Sequence, residues 1–118
     1  MASFLTIAAL IIGIPLALVG AVVCIRWQLF WRRNYDGRVI THGPFAWVRH
    51  PFYSGFLAFT IGLALSMPAS DTIALMIISI FSIFYYMPKE EAEQLRLHKR
   101  EYAAYKEQVP WKLIPRVF

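Results

Sequence analysis

The chain has 118 residues, of which 58% are hydrophobic and only 16% charged, and a formal net charge of +5. A soluble domain of this size has too little interior to hide so many apolar side chains, which argues against a water-soluble globule. The basic residues stand at the ends of apolar blocks, a placement that suits membrane topology and anionic lipid and argues against nucleic acid as a partner.

The first block, Phe4 to Ile25, carries no charge and stops at Arg26. About 20 apolar residues cross a hydrocarbon core, so this block is expected to span a membrane. A signal peptide is the competing reading. It is disfavoured because no Lys or Arg precedes the block and the apolar stretch exceeds an ordinary h-region. Gly13, Pro15 and Gly20 inside it are tolerated in lipid and mark either a kink or a close helix contact. Cys24 is the single cysteine, so no internal disulfide can form, and its place in an apolar run makes it a small hydrophobe.

From Arg26 the chain turns polar and aromatic. Trp27, Phe30 and Trp31 alternate with Arg26, Arg32 and Arg33, the pattern of a membrane-surface collar with aromatic anchors. Two further apolar blocks, about 52–67 and 72–87, are joined by Pro68-Ala69-Ser70-Asp71, whose turn formers predict a tight helical hairpin. Ser70 or Asp71 is the expected N-cap of the helix that follows. After Pro88, the acidic run Glu90-Glu91-Ala92-Glu93 suits the positive end of a new helix. Leu95, Tyr102, Tyr105 and Val109 then fall on one stripe of it, and Pro110 ends the pattern.

The expected architecture is therefore all-α. It is an integral-membrane helical bundle of three transmembrane helices (about 4–25, 52–67 and 72–87) plus a C-terminal amphipathic cytoplasmic helix, in one membrane domain spanning residues 1–118. All 12 Lys and Arg residues lie between Arg26 and Arg49 or between Lys89 and Arg116. With three spans, these segments (26–51 and 88–118) share one face. The positive-inside rule assigns that face to the cytoplasm, with the N-terminus outside and the C-terminus inside.

The chemistry is expected on that face. No Gly-rich phosphate loop is present, and Cys24, His42, His50 and His98 show no metal-ligand spacing. Taken alone, Glu90 and Glu91 suit a solvated helix start, and Arg49-His50 an interfacial anchor.

Together the two polar segments resemble a known pattern. The run Val39-Ile40-Thr41-His42-Gly43-Pro44-Phe45-Ala46-Trp47-Val48-Arg49-His50-Pro51-Phe52-Tyr53-Ser54-Gly55 resembles the signature of the isoprenylcysteine carboxyl methyltransferase and phospholipid N-methyltransferase superfamily. That signature has a Gly-Pro-aromatic, then Arg-His-Pro-x-Tyr, then a small residue entering a span. Glu90-Glu91, Leu95, Tyr102, Tyr105 and Val109-Pro110 resemble its second block in order and spacing. One departure is plain: the usual Phe-Gly pair of that block is here His98-Lys99.

The resemblance implies an integral-membrane enzyme that uses S-adenosylmethionine, held at the cytoplasmic ends of the last two spans with the C-terminal segment folded over it. It places Arg49, His50 and Tyr53 on the first cofactor wall, Glu90 and Glu91 on the second, and Tyr102 and Tyr105 in the lid. Arg49 or His50 would meet the cofactor carboxylate, and a glutamate its ammonium or ribose hydroxyls. Tyrosine faces would attract the sulfonium. The implied activity is methyl transfer to a lipid-like or prenylated acceptor that enters laterally from the membrane. The competing expectation is a non-catalytic accessory subunit of a larger membrane complex that keeps the fold. A homo-oligomer that completes the site between copies is also compatible.

Overall fold

The computed structural model describes residues 3–118 and contains three α-helices and one short 3-10 helix, with no strand among the described residues. Helix α1 spans Phe4–Asn34, the 3-10 helix Gly43–Ala46, α2 Pro51–Ser66 and α3 Ser70–Gln108. The all-α class is as expected, but the division into elements differs in three places.

First, α1 does not stop at Arg26. It runs 31 residues, so the aromatic and basic collar is its last two turns. Ser3 caps the other end by accepting from the Thr6 N–H at 3.1 Å.

Second, two helices among the described residues, not three, are long and apolar enough to cross a membrane: α1 and α3. The predicted middle span is α2, which has only 16 residues. At about 1.5 Å per residue such a helix falls short of a core about 30 Å thick. Pro51 sets its start and the turn formers after Ser66 set its end, which leaves no room for the missing turn.

Third, no separate helix begins at Pro88. α3 passes through Pro88 and continues to Gln108, with its one non-helical residue at Lys99. Pro88 is tolerated although a proline inside a helix removes one backbone hydrogen bond. The N-cap of α3 is also Ala69 rather than Ser70 or Asp71. Thr72 Oγ1 reaches back to accept from the Ala69 N–H at 3.0 Å, and Asp71 Oδ1 accepts from the Thr72 N–H at 2.9 Å.

Helices α1 and α2 pack antiparallel and very close. Gly13 lies against the Gly62 carbonyl and Ser66, Ala17 against Gly62, and Gly20 against Gly55 and Phe59. A Cβ placed on Gly20 or Gly62 would overlap the backbone of the facing helix. Small residues permit this approach, which supplies the dispersion contacts that hold helices together in lipid. The close-contact alternative for Gly13 and Gly20 is the one realised. The hydroxyls of Thr60, Ser66 and Ser79 donate to carbonyls of their own helices (Leu57, Gly62 and Leu75), so an apolar surround does not strand them. Outward, α1 exposes Phe4, Leu5, Ile11, Leu18 and Ile25, and α3 exposes Ile78 and Phe81. Contiguous apolar surface of this extent is the face a membrane protein turns to lipid.

Beyond α3 the tail folds back onto the start of α2. Trp111 O accepts from the Arg49 N–H at 2.8 Å, and Lys112 O from the His50 N–H at 3.0 Å. Leu113 O accepts from Ser54 Oγ at 2.6 Å. The backbone groups just ahead of α2 are thereby satisfied by the tail instead of by water. Beneath it Ile83, Met87 and Leu113 form a buried cluster against Tyr53, Phe56 and Leu57. The two basic segments of the chain thus meet at one end of the molecule.

Candidate functional site

Two sequence blocks separated by the α2–α3 hairpin meet at that end. Arg49 lies just before α2 and Glu91 on α3, beyond the apolar block that ends at Met87. Arg49 Nε donates to Glu91 Oε2 at 3.1 Å and Nη2 donates to Oε1 at 2.9 Å. Its Nη1 donates to the Val109 carbonyl at 3.2 Å. Both side chains are buried, at 5% and 8% exposure. A two-pronged guanidinium–carboxylate contact of this kind is strong, and burial strengthens it by excluding water. Burial by itself pushes the Glu91 carboxyl up, but His50 and Arg49 outweigh it and hold the pKa down at about 2.

His50 stands beside the pair with Nε2 at 3.6 Å from Glu91 Oε1. That separation is too long for a good hydrogen bond. Nε2 is buried and makes no hydrogen bond; the Glu91 carboxylate is its charged neighbour. The His50 ring stacks on Tyr53, centroids 5.8 Å apart, and the Tyr53 hydroxyl donates to Glu90 Oε1.

Tyr102, Tyr105 and Val109 form a second buried cluster, with Leu95, Val39 and Phe45 packed on it. Tyr105 donates its hydroxyl proton to the Phe45 carbonyl at 2.8 Å, tying the end of α3 to the 3-10 helix. Burial, together with the Glu91 charge, raises the Tyr102 phenol to about 12, and burial raises Tyr105 as well. Both are neutral hydroxyls at physiological pH.

These elements enclose a cleft of about 510 Å³. That volume is in the range of small-molecule and cofactor sites. Of the residues singled out in the sequence, Arg49, His50, Tyr53, Glu90, Tyr102 and Tyr105 line it. Glu91 does not. It stands behind the wall and neutralises Arg49, so Arg49 is not the free cation that its place in the motif suggests.

The opposite wall is one that the sequence reading assigned to a membrane collar. Trp27, Trp31 and Tyr35 line the cleft from α1 and the residue after it. Trp27 stacks on Trp31 at 5.3 Å, and Trp31 on Tyr35 at 4.2 Å. Their spacing of four and four places them on one helix face, which was the available signal. Trp27 Nε1 is the other buried side-chain polar atom without a partner among the described residues. Arg38 also lines the cleft. No group of His, Cys, Asp and Glu suited to a metal ion occurs among the described residues.

No curated protein matches this chain. The family model for isoprenylcysteine carboxyl methyltransferases matches residues 6–98, which takes in all but the first two residues of α1, the Arg49-His50 block, α2, and Glu90 and Glu91. The chain belongs to the isoprenylcysteine carboxyl methyltransferase (ICMT) family.

Proposed function

We propose that this protein is a membrane-embedded methyltransferase that moves the methyl group of S-adenosylmethionine to a lipid-like or prenylated acceptor. The observation that carries this reading is the cleft itself. Both motif blocks converge on it, beside helices whose outer faces suit lipid, and a buried His50 Nε2 that makes no hydrogen bond stands on its wall. An orphaned buried polar atom costs roughly 1–3 kcal/mol, and a ligand carrying a matching group relieves it.

The donor set fits the cofactor. Glu90 would meet its ammonium or ribose hydroxyls, His50 its polar edge, and the faces of Tyr102 and the Trp27–Trp31–Tyr35 stack its adenine and its cationic sulfur. Glu91 acts one step removed by holding Arg49. S-Adenosylmethionine supplies an electrophilic methyl carbon on a sulfonium. The chain's part is to orient both partners and exclude water, for which its aromatic walls are suited. No side-chain nucleophile is required. The polar end lies in the cytoplasm on the positive-inside argument, with the N-terminus outside, and residues 1–118 act as one membrane domain.

The test is a calorimetric titration of the detergent-purified full chain with S-adenosylhomocysteine. Micromolar binding, weakened about tenfold or more in His50→Ala and Glu90→Gln, is expected from the loss of one charge-assisted contact. A folded wild-type chain that binds nothing would shift the assignment to a non-catalytic accessory subunit of a membrane complex.

A further inference from the structure

The charges around the cleft do not fall where the sequence motif puts them. Arg49 has Glu91 as its counter-ion and spends a third contact on the Val109 carbonyl. An anion in the cleft therefore meets a neutral pair there. Glu93 is matched by Arg96, which bonds both of its carboxylate oxygens. Two permanent charges then remain on the lining: Glu90, which accepts from the Tyr53 hydroxyl, and Arg38. No carboxylate pairs with the Arg38 guanidinium among the described residues.

Local structure presents Arg38 to the cleft. Its backbone N–H donates to Asp36 Oδ1 at 3.1 Å, closing a short turn through Gly37. Gly37 has φ +89, a conformation that glycine adopts without strain. Arg38 is exposed, so a ligand can reach its guanidinium, and the Trp31–Tyr35 stack lines the same cleft. The cleft thus offers one free cation and one free anion, a set that matches an amino-acid zwitterion or a carboxylate carried on an apolar body.

We infer that Arg38, not Arg49, docks the carboxylate of the bound ligand in this cleft. The inference rests on the methyltransferase reading, which allows two sources for that carboxylate: the amino-acid end of the cofactor, or an acidic acceptor. A planar guanidinium donates two parallel hydrogen bonds to a carboxylate, which a lysine cannot reproduce in full.

The test uses the full chain in detergent as wild type, Arg38→Gln, Arg38→Lys and, as a charge control away from the cleft lining, Arg33→Gln. Each is titrated with S-adenosylhomocysteine, with 5′-methylthioadenosine, which lacks the amino-acid end, and with N-acetyl-S-farnesylcysteine and its methyl ester. Far-ultraviolet circular dichroism verifies that each variant is folded. A cofactor carboxylate at Arg38 gives a loss of about tenfold for S-adenosylhomocysteine in Arg38→Gln, partial recovery in Arg38→Lys and no change for 5′-methylthioadenosine. An acceptor carboxylate gives the same pattern for the farnesylated acid against its ester. Equal affinities in wild type and Arg38→Gln for every probe overturn the assignment, as does an equal loss in Arg33→Gln. A wild-type chain that binds no probe overturns the methyltransferase reading and this inference together.

Discussion

Arg49 and Glu91 lie 42 positions apart in the chain, yet their side chains meet through two hydrogen bonds of 3.1 and 2.9 Å in a buried setting. The contact joins the start of α2 to α3 beyond the last apolar block. Through Arg49 Nη1 it also holds the turn at Val109. It is the bolt of the polar end, and the cleft is built around it.

Replacing Glu91 by Ala strands a buried guanidinium and is expected to cost about 3–5 kcal/mol. Glu91→Gln, which keeps one acceptor oxygen, should cost less. Thermal melting in detergent, followed by circular dichroism, checks the order. Equal melting temperatures for Glu91→Ala and wild type would mean that the pair does not hold the fold.

The same contact sets a pH dependence. The folded-state pKa of Glu91 is depressed from 4.5 to about 2. The stability it contributes is therefore fully present above about pH 4.5 and is lost as pH falls toward 2. Melting temperature is expected to drop over that window in wild type, and to drop less steeply in Glu91→Gln. Parallel curves for the two proteins would assign the acid sensitivity to other carboxylates.

Close approach of α1 and α2 depends on Gly62, where any Cβ would overlap the backbone around Ala17. Gly62→Leu must push the helices apart. A loss of about 1–3 kcal/mol is the usual cost of such overpacking, read as a lowered melting temperature. Gly37→Leu is the contrast, since nothing lies within 4 Å of a Cβ there but φ is +89. It should perturb the 36–38 turn while leaving the α1–α2 contact intact, as read by cross-linking of cysteines placed on the two helices.

Lys99 breaks α3 with φ 42 and ψ −109, a conformation open to glycine and strained for other residues. It falls where the family pattern usually carries the glycine of a Phe-Gly pair. Lys99→Gly is expected to stabilise the chain by about 1 kcal/mol. Lys99→Ala should bring no such gain, because it removes the charge and keeps the Cβ. An equal gain from both variants would trace the effect to the lysine side chain instead.

Much of this was legible from local pattern. Uncharged apolar blocks located the helices, while Gly13 and Gly20 left a kink and a close helix contact both open until the structure showed the contact. The two motif blocks led to six residues that line one cleft. Two boundaries and one span were misread. Charge at Arg26 and proline at Pro88 looked like breaks, yet neither stops a helix that is supported on both sides. α2 was placed almost to the residue, at about 52–67 against Pro51–Ser66, but 16 residues are too few to cross the hydrocarbon core.

Local pattern was enough for the periodic features: an all-α chain, apolar blocks of set length, and polar ends rich in Arg, Trp and Tyr. Pairing emerged with the packing of distant segments. Glu91 answers Arg49, no carboxylate among the described residues pairs with Arg38, Tyr53 holds Glu90, and Trp27, Trp31 and Tyr35 line the cleft. The reason is physical. Hydropathy and helix propensity act over neighbouring residues, whereas the worth of a charge depends on which opposite charge is buried beside it, and that partner is chosen by the folding of distant segments onto one another.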